Sequence, residues 1–142
     1  MLSVVLDTSV IVAALRSRRG ASHGILRHVA DRTVRPLVST PLFLEYEAVL
    51  KRPEHQLAIG MTPERVDAFL AAFASACEGV ETHFRWRPQL RDSADEMVLE
   101  CAVNGRADRL VTHNLRDFAY AADRFALTVR TPGAFLSEID TP

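Results

Sequence analysis

Val4-Val5-Leu6-Asp7-Thr8-Ser9-Val10-Ile11-Val12-Ala13-Ala14-Leu15 decides the fold of this chain. Val4 to Leu6 is short, wholly apolar and rich in β-branched residues, as expected of a central parallel strand covered on both faces. Asp7-Thr8-Ser9 carries the side chains that cap helices. Val10 to Leu15 then continues as a buried helix. A strand that passes straight into a helix is the first half of a βαβ unit, and the same alternation recurs down the chain.

Arg16 to Ser22 is a basic loop of small residues, followed by a helix with Ile25, Leu26 and Val29 at helical spacing. Pro36 introduces a second strand, Leu37-Val38-Ser39. Thr40 is placed to cap the next helix, with Pro41 in its first turn. That helix runs through Leu42, Tyr46, Val49 and Leu50 and should end before Pro53. Gly60-Met61-Thr62-Pro63 repeats the cap-plus-proline start, and Val66, Phe69, Leu70 and Phe73 share the face of a helix ending near Gly79. Val80 to Phe84 alternates and predicts a third strand. Asp92-Ser93-Ala94-Asp95 opens a helix containing Val98, Leu99, Ala102 and Val103, which Gly105 should stop. Leu110-Val111-Thr112 and Leu127-Thr128-Val129 predict the fourth and fifth strands. Thr131-Pro132 caps a last helix with Phe135, Leu136 and Ile139. Strands alternating with helices imply right-handed crossovers and a parallel sheet.

At 142 residues, with no linker, repeat or low-complexity segment, residues 1–142 read as one domain. The net charge of −1 argues against a strongly basic nucleic-acid coat, and Lys51 is the only lysine. No apolar run approaches the ~20 residues that span a bilayer. Met1 to Asp7 lacks a basic start and meets a carboxylate too early for a signal peptide. The expectation is a cytoplasmic protein with no membrane partner. Cys77 and Cys101 each sit in an apolar helical pattern and read as buried free thiols.

Four acids follow apolar runs: Asp7 after the first strand, Glu45 one turn beyond the second, Asp95 at the start of a helix and Asp117 after the fourth strand. The strands of an open α/β sheet share one crevice at their carboxyl ends, so these acids would meet in space. Carboxylates gathered without a cation repel one another, and oxygen ligands suit a hard ion, Mg²⁺ or Mn²⁺. Each acid also has an ordinary reading. Asp7 can be a helix cap, Glu45 a solvated helix residue, Asp95 a partner of Asp92 in a capping box, and Asp117 an exposed loop acid. Helical spacing puts Glu45 beside Leu42 and Val49 and sends Glu47 elsewhere.

Other carboxylate-led or phosphate-binding families do not fit. A haloacid-dehalogenase-type phosphatase needs a second Asp where Ser9 stands. A response-regulator receiver needs acids where Val5 and Leu6 stand. No Walker or Rossmann glycine loop is present. Arg16, Arg18 and Arg19 lie in a loop that should open near Asp7, either as phosphate ligands or as a solvated surface. Arg85-Trp86-Arg87 combines cation and aromatic, a pairing that stacks on bases; a core or interface Trp is the plainer alternative.

Val5-Leu6-Asp7-Thr8-Ser9-Val10 resembles the opening of a PIN domain. Pro41-Leu42-Phe43-Leu44-Glu45-Tyr46, with Val49-Leu50 and Arg52-Pro53, resembles its second acidic block. Asp92-Ser93-Ala94-Asp95 with Ala102, then Ala107 to Asn114 with Asp117-Phe118, resemble its third and fourth. The similarity runs from about Leu2 to about Leu136, and is greatest to toxins of toxin–antitoxin systems of the VapC kind. It implies a three-layer α/β/α sandwich around a mostly parallel sheet of about five strands, a Mg²⁺ or Mn²⁺ site and endonuclease action on RNA. It also implies a small antitoxin partner and a homodimer. Asp7, Glu45 and Asp95 match the three central acids. The fourth block departs from the commonest pattern, which leaves its acid open between Asn114 and Asp117. Thr8, Ser9 and Thr112 are candidates to hold the acids in place. Two rivals stand beside this reading: a non-catalytic PIN-like binding module, and a nuclease of general RNA processing or DNA maintenance.

Overall fold

Ser3, Val4, Val5 and Leu6 are all buried. Successive strand residues face opposite ways, so β1 (Leu2–Leu6) is covered on both sides. The computed structural model describes residues 1–83 and 93–141; Phe84, the Arg85-Trp86-Arg87 triplet and Asp92 lie outside the described residues. Around β1 are β2 (Val34–Val38), β3 (Glu78–Gly79), β4 (Arg109–Val111) and β5 (Val129–Arg130). They form one five-stranded sheet ordered β3-β2-β1-β4-β5, and every pairing is parallel.

The helices are α1 (Thr8–Arg16), α2 (Ala21–Ala30), α3 (Thr40–Leu50), α4 (Pro53–Ile59), α5 (Pro63–Ala76), α6 (Ser93–Asn104), α7 (Leu115–Phe125) and α8 (Pro132–Asp140). One group packs α2 against α1, α8 and β2. A second packs α3 with α5 and α6, and α6 against β1 and β2; α4 leans on α1 and α3. The chain is thus an α/β fold with helices flanking a parallel sheet. No helix among the described residues is long and apolar enough to cross a membrane.

The strand order has one reversal. From β1 the chain moves outward through β2 to β3, then returns to the other side of β1 for β4 and β5. Helices leaving neighbouring strands part at such a point, which opens a crevice at the carboxyl ends of the two strands. Here those strands are β1 and β4, so the topology singles out the residues after Leu6 and Val111.

Several local expectations shift. The second strand is Val34–Val38, with Pro36 inside it. The Val38 carbonyl accepts from the Val80 N–H at 2.9 Å, so Pro36, two residues earlier, turns the same edge toward β3. Pairing with β3 begins only at Leu37, and a residue without an N–H is tolerated there. The third strand is Glu78–Gly79, with Val80 to His83 of the expected Val80-to-Phe84 strand beyond its end, and the fifth is Val129–Arg130 rather than Leu127 to Val129. Ser39, not Thr40, caps α3, accepting from the Leu42 N–H; Thr62 and Thr131 cap α5 and α8 as expected. Two helices stand where no helix was expected: α4, which buries no residue, and α7, whose Leu115, Phe118, Ala122 and Phe125 follow helical spacing and which puts Phe118 and Ala121 in the core.

Candidate functional site

Asp7 is the single residue between β1 and α1. Its backbone has the extended geometry of an N-cap (φ −61°, ψ 148°), yet its side chain makes no capping bond. Its Oδ2 instead accepts from the Ser9 hydroxyl at 3.0 Å and the Thr112 hydroxyl at 2.7 Å. The capping alternative therefore does not describe this carboxylate. Two hydroxyl donors fix its rotamer while it is only 5% exposed.

The neighbouring main chain is held as firmly. The Asp7 N–H donates to the Val111 carbonyl at 2.9 Å, and the Thr112 N–H donates to Arg130 at 3.0 Å. Thr112, completely buried, also accepts from the Asn114 N–H at 3.0 Å. Its single hydroxyl thus links Asp7 to the turn that starts α7. On the other side the Tyr46 hydroxyl donates to the Leu6 carbonyl at 2.5 Å. Burial above all, with lesser contributions from Cys101, Cys77 and Asp7, raises the Tyr46 pKa well above its ordinary value. It remains a donor throughout the neutral range.

These residues border a cleft of about 570 Å³. One face of α1 forms a long wall: Thr8, Ser9, Val12, Ala13 and Arg16, with Ser17 following. Val49 enters from the last turn of α3 and His55 from α4. Ala94 and Asp95 come from the first turn of α6, and Asn114 stands at the N-cap of α7. The sequence candidates Asp7, Thr8, Ser9, Asp95, Asn114 and Arg16 are thereby brought to one cavity, with Thr112 directly behind. Others are not on its wall. Glu45 is half-buried on α3, one turn before Val49, and Asp117 is exposed on the first turn of α7. Arg18 and Arg19 are exposed beyond the end of α1. Glu47 instead faces Lys51 at 3.4 Å, on the side its helical position indicates.

Three residues escape sequence reasoning. His55 sits on a helix that buries nothing, so no apolar periodicity marks it. Glu96 and Glu100 are each 3% exposed, although acids one and five places beyond Asp95 read as solvent residues in a sequence. Cys77 and Cys101 are free thiols, and burial pushes their pKa values up to about 12 and about 11. Thiols so protonated are poor nucleophiles and metal ligands.

Among the described residues, no three Asp, Glu, His or Cys side chains converge as a metal-binding group. What the crevice does offer is two carboxylates, Asp7 and Asp95, with the hydroxyl of Ser9 and the amide of Asn114. Such a donor set fits Mg²⁺, which commonly takes one or two carboxylates and completes its octahedron with water and substrate phosphate.

A model of the PIN domain family matches residues 3–116. No curated protein matches the sequence. Among solved structures, the fold is similar to VapBC2 from Rickettsia felis bound to a DNA fragment from their promoter. The TM-score there is 0.63 at 17% identity, over 92% of this chain and 98% of that one. It is similar also to VapBC-1 from nontypeable Haemophilus influenzae, with a TM-score of 0.62 at 15% identity, over 93% of this chain and 99% of that one. At these identities the likeness is one of fold.

Proposed function

Because the chain belongs to the PIN domain family, we propose that it is a metal-dependent endoribonuclease, the toxin of a type II toxin–antitoxin pair. The observation that carries this reading is the Asp7 carboxylate. It occupies a cap position, declines to cap, and is held by Ser9 and Thr112 beside a cleft that it shares with Asp95. Residues 1–142 act as one nuclease domain, a reading supported by neighbours matched over 98% and 99% of their lengths.

Asp7 and Asp95 would hold Mg²⁺ or Mn²⁺. The ion would lower the pKa of a bound water and offset charge at the attacked phosphorus. The chain's own residues do the rest. Ser9 and Thr112 fix the Asp7 carboxylate, as hydrogen-bonded supports do in other metal sites. Asn114, on the cleft wall, orients a water or a phosphate oxygen as the fourth polar group. Glu45 and Asp117, off the wall, act through waters. Arg16 binds phosphate from within the cleft, and Arg18 and Arg19 add charge outside it. A small antitoxin is the partner, a reading supported by the VapBC structures with which the fold is shared; in this proposal it covers the cleft, and two copies of the chain form the working unit. A second reading, binding without cleavage, draws on the lack of a third converging acid among the described residues.

Asp7→Asn separates the two. Asn keeps the shape and one acceptor but removes the charge, so RNA cleavage in Mg²⁺ should vanish and Mn²⁺ affinity should fall. A carboxylate this buried also costs stability when no cation accompanies it. The metal-free melting temperature should therefore stay level or rise. Mg²⁺-dependent cleavage at the wild-type rate by Asp7→Asn would overturn the catalytic assignment.

A further inference from the structure

The cleft is longer than the chemistry at Asp7 requires. Its volume, about 570 Å³, lies within the roughly 300–1,000 Å³ of sites that bury whole organic ligands. An ion with its waters needs far less. The α1 wall sets the length. Asp7 stands at the N-cap position of α1 and Arg16 ends the helix, and at 1.5 Å per residue these positions lie about 13 Å apart along the axis. Carboxylates stand at one end of this wall, and a cation stands at the other. Between them the surface is apolar, made by Val12 and Ala13 of α1 with Val49 of α3, and His55 looks in from α4.

An acidic end suits an ion and the phosphate under attack. It repels any other phosphate. An apolar stretch that follows suits the flat face of a base, and a cation beyond it suits a further phosphate of the same strand. Arg16 and His55 are also the basic side chains that line the cleft. We propose that the cleft is a two-phosphate site. A single RNA strand places its scissile phosphate at Asp7 and Asp95, a base over Val12, Ala13 and Val49, and a second phosphodiester at Arg16, with His55 donating to the strand from the opposite wall. Arg16 and His55 are positioning residues, touching the strand away from the bond that breaks. The proposal rests on the ribonuclease reading and adds to it the footprint of the substrate.

Binding and cleavage test the two separately. A fluorescent single-stranded oligoribonucleotide is titrated with the chain in chelator, so that no cleavage occurs, by anisotropy. Each phosphodiester in turn is replaced by a neutral methylphosphonate. One linkage, distinct from the scissile one, should lower wild-type affinity several-fold when neutralised. The same substitution should cost Arg16→Ala almost nothing, because the partner is already gone. His55→Ala should weaken binding of the unmodified strand, and His55→Gln, which keeps a donor, should restore much of it. With Mg²⁺ restored, both alanine variants should raise KM several-fold and leave kcat within about twofold, as loss of uniform binding does. Equal losses at every linkage, or alanine variants that bind as the wild type does, would overturn the two-phosphate site. A wild-type chain that binds in this pattern yet cuts no RNA in Mg²⁺ or Mn²⁺ would keep the site and remove the nuclease reading.

Discussion

Thr112 is the residue on which the site's order turns. Its hydroxyl donates to Asp7 Oδ2 and accepts from the Asn114 N–H, from a position with no solvent exposure. Thr112→Val keeps the volume and removes both bonds. A buried group left without its partner costs about 1–3 kcal/mol, so the urea midpoint should fall accordingly. Thr112→Ser keeps both bonds and should retain most of the stability and the activity. If the Ser variant is the destabilised one and the Val variant is not, the methyl group rather than the hydroxyl matters here. Asp7 and Thr112 are both legible in the sequence, since each closes an apolar run and shares the carboxyl end of the sheet. His55 is not legible, because a histidine on a helix that buries nothing has no pattern around it. The side-chain direction of Asp7 is not legible either. An acid before a helix normally caps it, and here the hydroxyls of Ser9 and of Thr112, at the end of the neighbouring strand, hold the carboxylate instead.

Elements reveal themselves in proportion to what they bury. β1 and α1 are visible because Val4 to Leu6 and Val10 to Val12 are buried as uninterrupted runs. β3 and β5 pair over only two residues each. With Glu78, Gly79 and Arg130 exposed, no alternation betrays them, and their positions follow from register with β2 and β4 instead. The end of α6 shows a similar division between signal and cause. Gly105 marks it, but Arg106 takes the left-handed conformation (φ 51°), and the Ala107 N–H closes back to the Ala102 carbonyl at 3.0 Å. Gly105 is needed for space. A Cβ there would lie 2.8 Å from Val80 Cγ2 and 2.9 Å from the Cys101 carbonyl oxygen. The carbonyl belongs to the helix and cannot turn aside, so Gly105→Ala should cost about 1–3 kcal/mol. Gly24, inside α2, makes the contrast. Its added Cβ would meet only the tip of Leu136, at 2.9 Å from Cδ2. Leu136 can rotate, and alanine gains up to about 1 kcal/mol in a helix interior. Gly24→Ala should therefore shift stability by no more than about 1 kcal/mol, and thermal melts of the two variants give the comparison directly.

Across the whole molecule the two ends of the sheet have different tasks. The carboxyl end holds the cleft; the amino end holds the fastenings. At the start of β4, Asp108 Oδ2 accepts from the Ser3 N–H at 2.8 Å and the Ser3 hydroxyl at 3.1 Å. One residue on, Arg109 Nε lies 3.0 and 3.1 Å from the two oxygens of Glu138, which ties β4 to α8. The Ser3 N–H bond above all holds the Asp108 carboxyl below its ordinary 3.8, and the Arg109 guanidinium holds Glu138 below its ordinary 4.5. A depressed folded-state pKa means that each contribution is complete above the ordinary value. It is lost as pH falls through the folded value beneath it. Acid should therefore loosen the amino end first. Asp108→Asn and Glu138→Gln should each lower stability at neutral pH by at most about 1 kcal/mol, since the Asp108 carboxyl is exposed and that of Glu138 partly so. The same variants should lose less than the wild type between about pH 5 and about pH 3, because the linkage has been removed. Arg109 and Thr112 stand three residues apart along the strand direction, about 10 Å, far enough for near-independent effects. RNA cleavage at neutral pH should then be unchanged in both variants, while urea melts across the acid range converge on that of the wild type. Acid curves that stay parallel would place the proton-linked stability elsewhere in the molecule.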